Sequence, residues 1–212
     1  MATEHTKTPT RTQRSKSRSR RPMPILIAWL LLLSNVGSYI VGHYKGTTYT
    51  QDPQATIVGI ASTSIQVRFS PNGQCLELAE AAIAKAQKSI LVQAYGFTSA
   101  SIVDALIKAH QRGVSVQVLV DRSQLKARST KVHLVATKGI PVFIDVVPGI
   151  AHNKVMIIDD EYVLTGSFNW TDAAEKRNAE NLLLVKDSRL NEIYKANWKK
   201  RAAKARAYQR PS

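Results

Sequence analysis

From residue 64 onward the chain alternates short apolar runs with amphipathic stretches. Residues 64–70, SIQVRFS, place apolar side chains at every second position and predict a strand. Residues 75–89, CLELAEAAIAKAQKS, carry apolar positions at helical spacing, and residues 90–97, ILVQAYGF, are nearly continuous and apolar, as a strand buried on both faces would be. The spacing predicts a second helix over 101–113, closed by Gly113, and a strand over 114–121. A third helix over about 129–138, ended by Gly139, and a strand at PVFID, 141–145, follow.

Then the rhythm changes. KVMIID, YVLTGS and NLLLVKD read as three strands, with room between the first two only for a hairpin turn. Residues 188–206 read as a helix with Leu190, Ile193, Tyr194 and Trp198 on one stripe. Strands alternating with helices early and hairpin strands late predict an α/β fold, a mixed β-sheet sandwiched between helices.

The N-terminal third has another character. Residues 1–24 are polar, basic and Ser/Thr-rich, with too little apolar surface to offset the entropy of ordering, and are expected to be disordered. Residues 25–42, ILIAWLLLLSNVGSYIVG, form an apolar run of roughly 27 Å as a helix, about the thickness of a bilayer core. A basic stretch before such a run is the layout of a transmembrane anchor or a signal peptide; a buried helix of a soluble domain is the third reading. Either leading case puts the domain outside the cytoplasm, at the periplasmic side of a bacterial inner membrane or exported. Residues 43–62 read as a linker, 63–206 as the catalytic domain with a basic C-terminal helix, and 207–212 as a tail.

The formal charge of +15 changes this picture less than its size suggests. Residues 1–21 hold about +6 of it and residues 195–212 about +7, so the middle is close to neutral. A basic groove across the domain does not follow from composition, and the basic C-terminal helix is either a solvated face or a contact for DNA or lipid headgroups. With Cys75 the lone cysteine, an internal disulfide, a Cys-x-x-Cys pair and a zinc knuckle are all excluded.

Chemistry concentrates between residues 152 and 181. In an extended backbone alternate side chains share a face, so His152 and Lys154 are expected to project together, as are Ser167 and Asn169 after Gly166. An imidazole, an ammonium, a hydroxyl and an amide converging on one place describe a receptor for phosphate oxygens. A neutral histidine nitrogen can attack phosphorus, with Lys154 and Asn169 stabilising charge on the non-bridging oxygens. Such a nucleophile works best with its other nitrogen held, and Glu180 is the candidate for that hold.

The pattern His152-x-Lys154-x4-Asp159-x6-Gly166-Ser167-x-Asn169 resembles the HKD signature of the phospholipase D superfamily. The following NWTDAAEKRNAENLLL, with Glu180 and Asn181, looks like the small bacterial endonuclease branch, the Nuc-like members that carry one HKD copy per chain. The resemblance covers about 62–200. It implies a phospholipase D/nuclease fold and a phosphodiesterase that needs neither metal nor cofactor and works through a phosphohistidine. Two HKD motifs make one site in that family, so it also implies a homodimer, with His152 of one subunit attacking and His152 of the other protonating the leaving oxygen. Carried over by position, His152, Lys154, Ser167, Asn169 and Glu180 line the site. Asp159, the motif's third letter, belongs with them by the motif, although its place at a hairpin suits a supporting role in the turn.

Three readings follow. The first is an endonuclease acting on DNA or RNA with little sequence preference; the second is a phospholipase D acting on phosphatidylcholine-type headgroups; the third is a non-catalytic, membrane-tethered nucleic-acid-binding protein. Outside the motif, Asp121 ends a strand where ligands often bind in open α/β sheets, but helix capping is the simpler expectation. Trp170 either lines the cleft or packs inside the domain. His5, His43, His110 and His133 lack partners in the pattern and are expected to be solvated or half-packed.

Overall fold

The computed structural model describes residues 64–209. The expected N-terminal basic segment, apolar run and linker lie outside the described residues. Among those described, no helix is long and apolar enough to cross a membrane.

Eight strands form one mixed sheet. In chain order the elements are β1 (Ser64–Ser70), α1 (Cys75–Lys85), β2 (Ser89–Ala94), α2 (Ala100–Gln111), β3 (Ser115–Asp121), α3 (Val132–Thr137) and β4 (Val142–Asp145). They continue with β5 (Lys154–Ile158), β6 (Tyr162–Gly166), α4 (Asp172–Lys176), β7 (Glu180–Lys186), α5 (Ser188–Ala202) and β8 (Arg206–Ala207). The strand order is β1-β7-β6-β5-β2-β3-β4-β8. Strands β2, β3 and β4 run parallel, joined by crossovers through α2 and α3, and every other pairing is antiparallel. The sheet is thus mixed, parallel where helices separate strands and antiparallel where turns do.

The two faces are covered unequally. On one, Leu78, Ala79 and Ile83 of α1, Ile102, Val103 and Leu106 of α2, Val132 and Val135 of α3 and Ala174 of α4 bury a large apolar core against β2–β7. On the other, among the described residues, α5 and Ala205 just after it seal a smaller core of Leu91, Leu119, Val155, Ile157 and Val163 with Trp198. Strand β5 lies at the middle and is buried at all five positions, which is why KVMII reads as continuously apolar after its lysine.

Of the stripe expected on α5, Leu190, Tyr194 and Trp198 pack on the sheet at four-residue spacing, while Ile193 turns outward. Two of the basic residues of α5 have structural work. Arg201 donates to the buried Asp145 of β4, with Nε to Oδ2 at 2.9 Å, and Lys195 donates to the Asp159 carbonyl at 3.1 Å and also binds Asp160. Helix α1 stops four residues short of its apolar pattern. The N–H groups of residues 87, 88 and 89 point to the Asp159 carboxylate instead of continuing the helical ladder.

Candidate active site

The expected site residues come from one end of the sheet. His152 immediately precedes β5, Lys154 opens it, Ser167 and Asn169 follow β6, and Glu180 opens β7. Adjacent antiparallel strands bring the start of β5, the end of β6 and the start of β7 side by side, which gathers residues up to 28 positions apart.

His152 is exposed, its ring edge-on to Tyr95 with centroids 4.4 Å apart at 65°. Lys154 is 5% exposed; its Nζ donates to the His152 carbonyl at 3.0 Å and lies 4.9 Å from the centre of the same Tyr95 ring. Imidazole and ammonium therefore share one tyrosine, which holds the first by its edge and faces the second with its negative π-surface. Burial pushes the Lys154 ammonium below the ordinary lysine pKa, and the nearby Glu180 carboxylate pulls it back up.

The neutral donors are held by their oxygens. Ser167 Oγ accepts from the Asn181 backbone N–H at 3.1 Å and from its Nδ2 at 3.4 Å, which leaves the hydroxyl proton to donate. Asn169 Oδ1 accepts from the Gly96 N–H at 3.2 Å, leaving its NH2 as the group it presents. Both close approaches depend on glycine. A Cβ on Gly166 would lie 2.2 Å from the Asn181 carbonyl oxygen, and one on Gly96 would crowd Asn169 and Thr171 at 3.1–3.2 Å. The Glu180 carboxylate accepts from Asn178 Nδ2 at 2.9 Å; it is bonded there and not to His152.

Asp159 stands apart from this group. It sits past the far end of β5, at φ 54°, and its carboxylate accepts from the N–H groups of Gln87, Lys88 and Ser89 at 2.7–3.0 Å. The motif counts it with the site, but it stands five positions beyond Lys154 along the strand, about 16 Å of extended chain. Its geometry is that of a brace joining the β5–β6 turn to the start of β2. Trp170 is fully buried, with Nε1 donating to the Gln93 carbonyl at 3.1 Å; it packs in the core and staples the Ser167–Trp170 loop onto β2.

Three residues outside the motif complete the frame. Tyr95 follows β2 and extends its pairing, N–H to the Asn153 carbonyl at 3.0 Å. Gln124 bridges the same segment, accepting from the Phe97 N–H at 3.2 Å and donating to the Tyr95 carbonyl at 2.7 Å. Asp121, buried at the end of β3, caps the 3₁₀ turn Arg122–Leu125 through the Ser123 N–H at 2.8 Å, as expected of a cap. Its other oxygen accepts from the Ala151 N–H at 2.7 Å, one residue before His152. Burial raises the Asp121 pKa, but hydrogen bonds from Ser123 and Ala151 and the Arg122 charge outweigh it and hold the carboxyl below its ordinary value.

An exposed histidine backed by a tyrosine, beside a buried ammonium and two oriented neutral donors, is a place where a phosphate can be bound and attacked. Comparison with known proteins agrees with that chemistry. The family model described as "Cardiolipin synthase, PLD-like domain" matches residues 80–202. A phospholipase D of Rickettsia conorii is 48% identical over 144 residues, 68% of this chain and 72% of that one. The human mitochondrial cardiolipin hydrolase is 35% identical over 106 residues, half of this chain and 42% of its own. Among solved structures, the phospholipase D family member Nuc from Salmonella typhimurium superposes with a TM-score of 0.68 at 37% identity, covering 70% of this chain and 99% of Nuc. The family match spans more than half of the chain and takes in every one of the site residues, so the chain belongs to the phospholipase D superfamily and is a phosphodiesterase of it.

Proposed function

We propose that this chain cleaves nucleic acid, DNA or RNA with little sequence preference, through a phosphohistidine formed on His152. A ring nitrogen of His152 attacks phosphorus; the P–N bond forms as the bond to the leaving oxygen breaks. The leaving oxygen takes a proton from His152 of a second copy, which then takes one from water as that water attacks phosphorus and breaks the P–N bond. Lys154, the Ser167 hydroxyl and the Asn169 amide hold the non-bridging oxygens. Glu180 is the group that would hold His152 in the working tautomer by moving off Asn178.

The observation that carries the nucleic-acid reading is the rim beside His152. Arg122, Lys126 and Arg128 are exposed there on the segment that Gln124 and the Lys131 N–H tie to Tyr95 and Phe97, and no acid occurs from 122 to 144. A lipid reading has its own observation: Leu125 and Ile150 on the same rim are 52% and 60% exposed, and relatives in Rickettsia carry the name phospholipase D. The apolar run at 25–42 would hold the domain at the periplasmic side of a membrane in either case, or export it if cleaved.

The test is incubation of the full chain and its His152→Ala variant with plasmid DNA, RNA and phosphatidylcholine vesicles in excess chelator. Degradation of nucleic acid by the wild type alone is the expected result. Headgroup release with nucleic acid intact selects the lipid reading, and cleavage that stops with chelator removes the metal-independent mechanism.

A further inference from the structure

Strand β8 brings a cation to the same level of the sheet as the site. Lys154 pairs with Ala94 of β2, Ala94 with Val120 of β3, Val120 with Ile144 of β4, and Ile144 with Arg206 of β8. Residues directly opposite in neighbouring strands share a face, so Lys154 and Arg206 stand in one transverse row on the face of the larger core. Four strand spacings separate them, roughly 19 Å.

On the Arg206 side of this row lies an open cleft of about 540 Å³, with Arg122, Leu125, Ile144, Val146, Arg206 and Tyr208 in its lining. Arg122 follows β3, two spacings or roughly 10 Å from β5, and its Nη2 holds the Pro148 and Gly149 carbonyls of the loop that carries His152. Arg206 is fixed by β8, which the Tyr208 N–H extends by donating to the Val142 carbonyl at 2.8 Å. Charge in the cleft has one sign. Both arginines are exposed, and among the described residues neither forms an ion pair. The Asp121 carboxylate next to Arg122 is taken by the Ser123 and Ala151 N–H groups, Asp145 by Arg201, and no acid occurs from 193 to 212.

We infer that this cleft is a second substrate subsite, which takes a nucleotide a few positions along the strand from the scissile phosphate. Its phosphate lies between Arg122 and Arg206, and its base or sugar lies on Leu125, Ile144 and Val146. One phosphate at Lys154 and another roughly 10–19 Å away belong to a polyanion, whereas a phosphatidylcholine headgroup carries a single phosphate. Cations spaced along a groove with apolar surface between them are the means by which single strands are held. This rests on the nucleic-acid reading given above and adds a path to it: the strand leaves His152 toward β4 and β8, away from the Ser167–Glu180 wall.

The test uses the full chain in a non-denaturing detergent and excess chelator. Its substrates, as DNA and as RNA, are a dinucleotide, which has one phosphodiester, and a single strand of about twelve nucleotides. At low salt the wild type should cleave the longer strand with kcat/KM at least about thirtyfold that of the dinucleotide. In Arg206→Gln with wild-type circular dichroism that ratio should fall about tenfold, and the slope of log kcat/KM against log salt for the longer strand should shrink by about one. Arg206→Lys, which keeps the charge, should hold the ratio within about threefold. A second measurement needs no change at Arg206. In the His152→Ala chain, phenylglyoxal labelling of Arg206 should slow about fivefold with the longer strand and less than about twofold with the dinucleotide. Equal kcat/KM for the two lengths, or a ratio that Arg206→Gln leaves unchanged, overturns the subsite and leaves the nuclease reading standing. Arg206 labelling that the longer strand does not slow overturns it as well. A wild type that cleaves neither nucleic acid yet releases headgroups from phosphatidylcholine vesicles overturns the nucleic-acid reading itself, and the subsite with it.

Discussion

The backbone N–H of Ala151 donates to Oδ2 of Asp121 at 2.7 Å, and the residue it precedes is His152. The other Asp121 oxygen is bound to the Ser123 N–H, and the Arg122 guanidinium donates to the carbonyls of Pro148 and Gly149 at 3.1 and 3.3 Å. The loop that carries His152 is thus pinned at residues 148, 149 and 151 by the last residue of β3 and the one after it. Asp121→Asn is expected to lower kcat by roughly ten- to a hundredfold with KM little changed, because a small misplacement of a reacting group costs about that much. A change confined to KM, or none, would show that the loop is set without this carboxylate.

Lys154 gives a prediction with a sign. Its charge is disfavoured by burial and favoured by Glu180, so removing the Glu180 charge should lower its pKa further. A lysine acts as a phosphate donor only while protonated. In Glu180→Gln the alkaline limb of the pH–kcat/KM profile should therefore move to lower pH, whatever happens to the maximum rate. Lys154→Met should cost about 10²–10³ in kcat, as expected for a group that meets charge in the transition state. An alkaline limb that stays in place in Glu180→Gln would mean that Lys154 does not set it.

Asp159 tests whether a motif letter means chemistry. Three backbone N–H groups depend on its carboxylate, at the point where α1 ends and β2 begins. Asp159→Ala strands them, and at 1–3 kcal/mol for each orphaned donor, softened by water at an exposed turn, the loss should be about 3 kcal/mol. Chemical denaturation should report that loss, while kcat of the folded variant, assayed well below its midpoint, stays within about threefold of wild type on the strength of the distance from His152. A folded, stable and inactive Asp159→Ala would put the aspartate back among the catalytic groups.

How much of this was legible in the sequence follows from the range of each interaction. Period-two and helical patterns located seven strands and the four longer helices, because each records which side chains face the core. The strand β8 and helix α4 were not legible. The first has two residues and exists only as a pair with Phe143 and Ile144 of β4, and the second has five residues held by the Thr171 hydroxyl on the Ala174 N–H at 3.1 Å. His152, Lys154, Ser167 and Asn169 were legible because the chemistry fixes their spacing within one hairpin. Tyr95 and Gln124 were not, since they reach the site from other strand ends, 28 to 57 positions away from His152. Asp121 had the one available signal, its place at the carboxyl end of a parallel strand, but not the Ala151 bond that gives that place a use. The exposed face of β1 reads as an ordinary amphipathic strand; that its apolar side faces outward depends on the register with β7, which no local pattern carries.

Cys75 opens α1 with no solvent exposure, and its thiol pKa is raised to about 11, chiefly by burial and then by the Glu175 carboxylate. That carboxylate accepts from the N–H groups of Gln74 and Leu76 on either side, at 3.0 and 2.9 Å, so the negative charge is locked beside the sulfur as long as α1 and α4 stay together. The thiolate is the reactive form, and at pH 8 a pKa near 11 leaves it at about one part in a thousand. Native protein should therefore resist iodoacetamide for hours at pH 8, and react promptly in denaturant, where burial and the Glu175 charge are both gone. Glu175→Gln should lower the thiol pKa and loosen the start of α1 together, so labelling should quicken in the native state and faster still as pH rises. Prompt labelling of the wild-type native protein would show that this end of α1 opens readily and that the Glu175 bonds do not hold it shut.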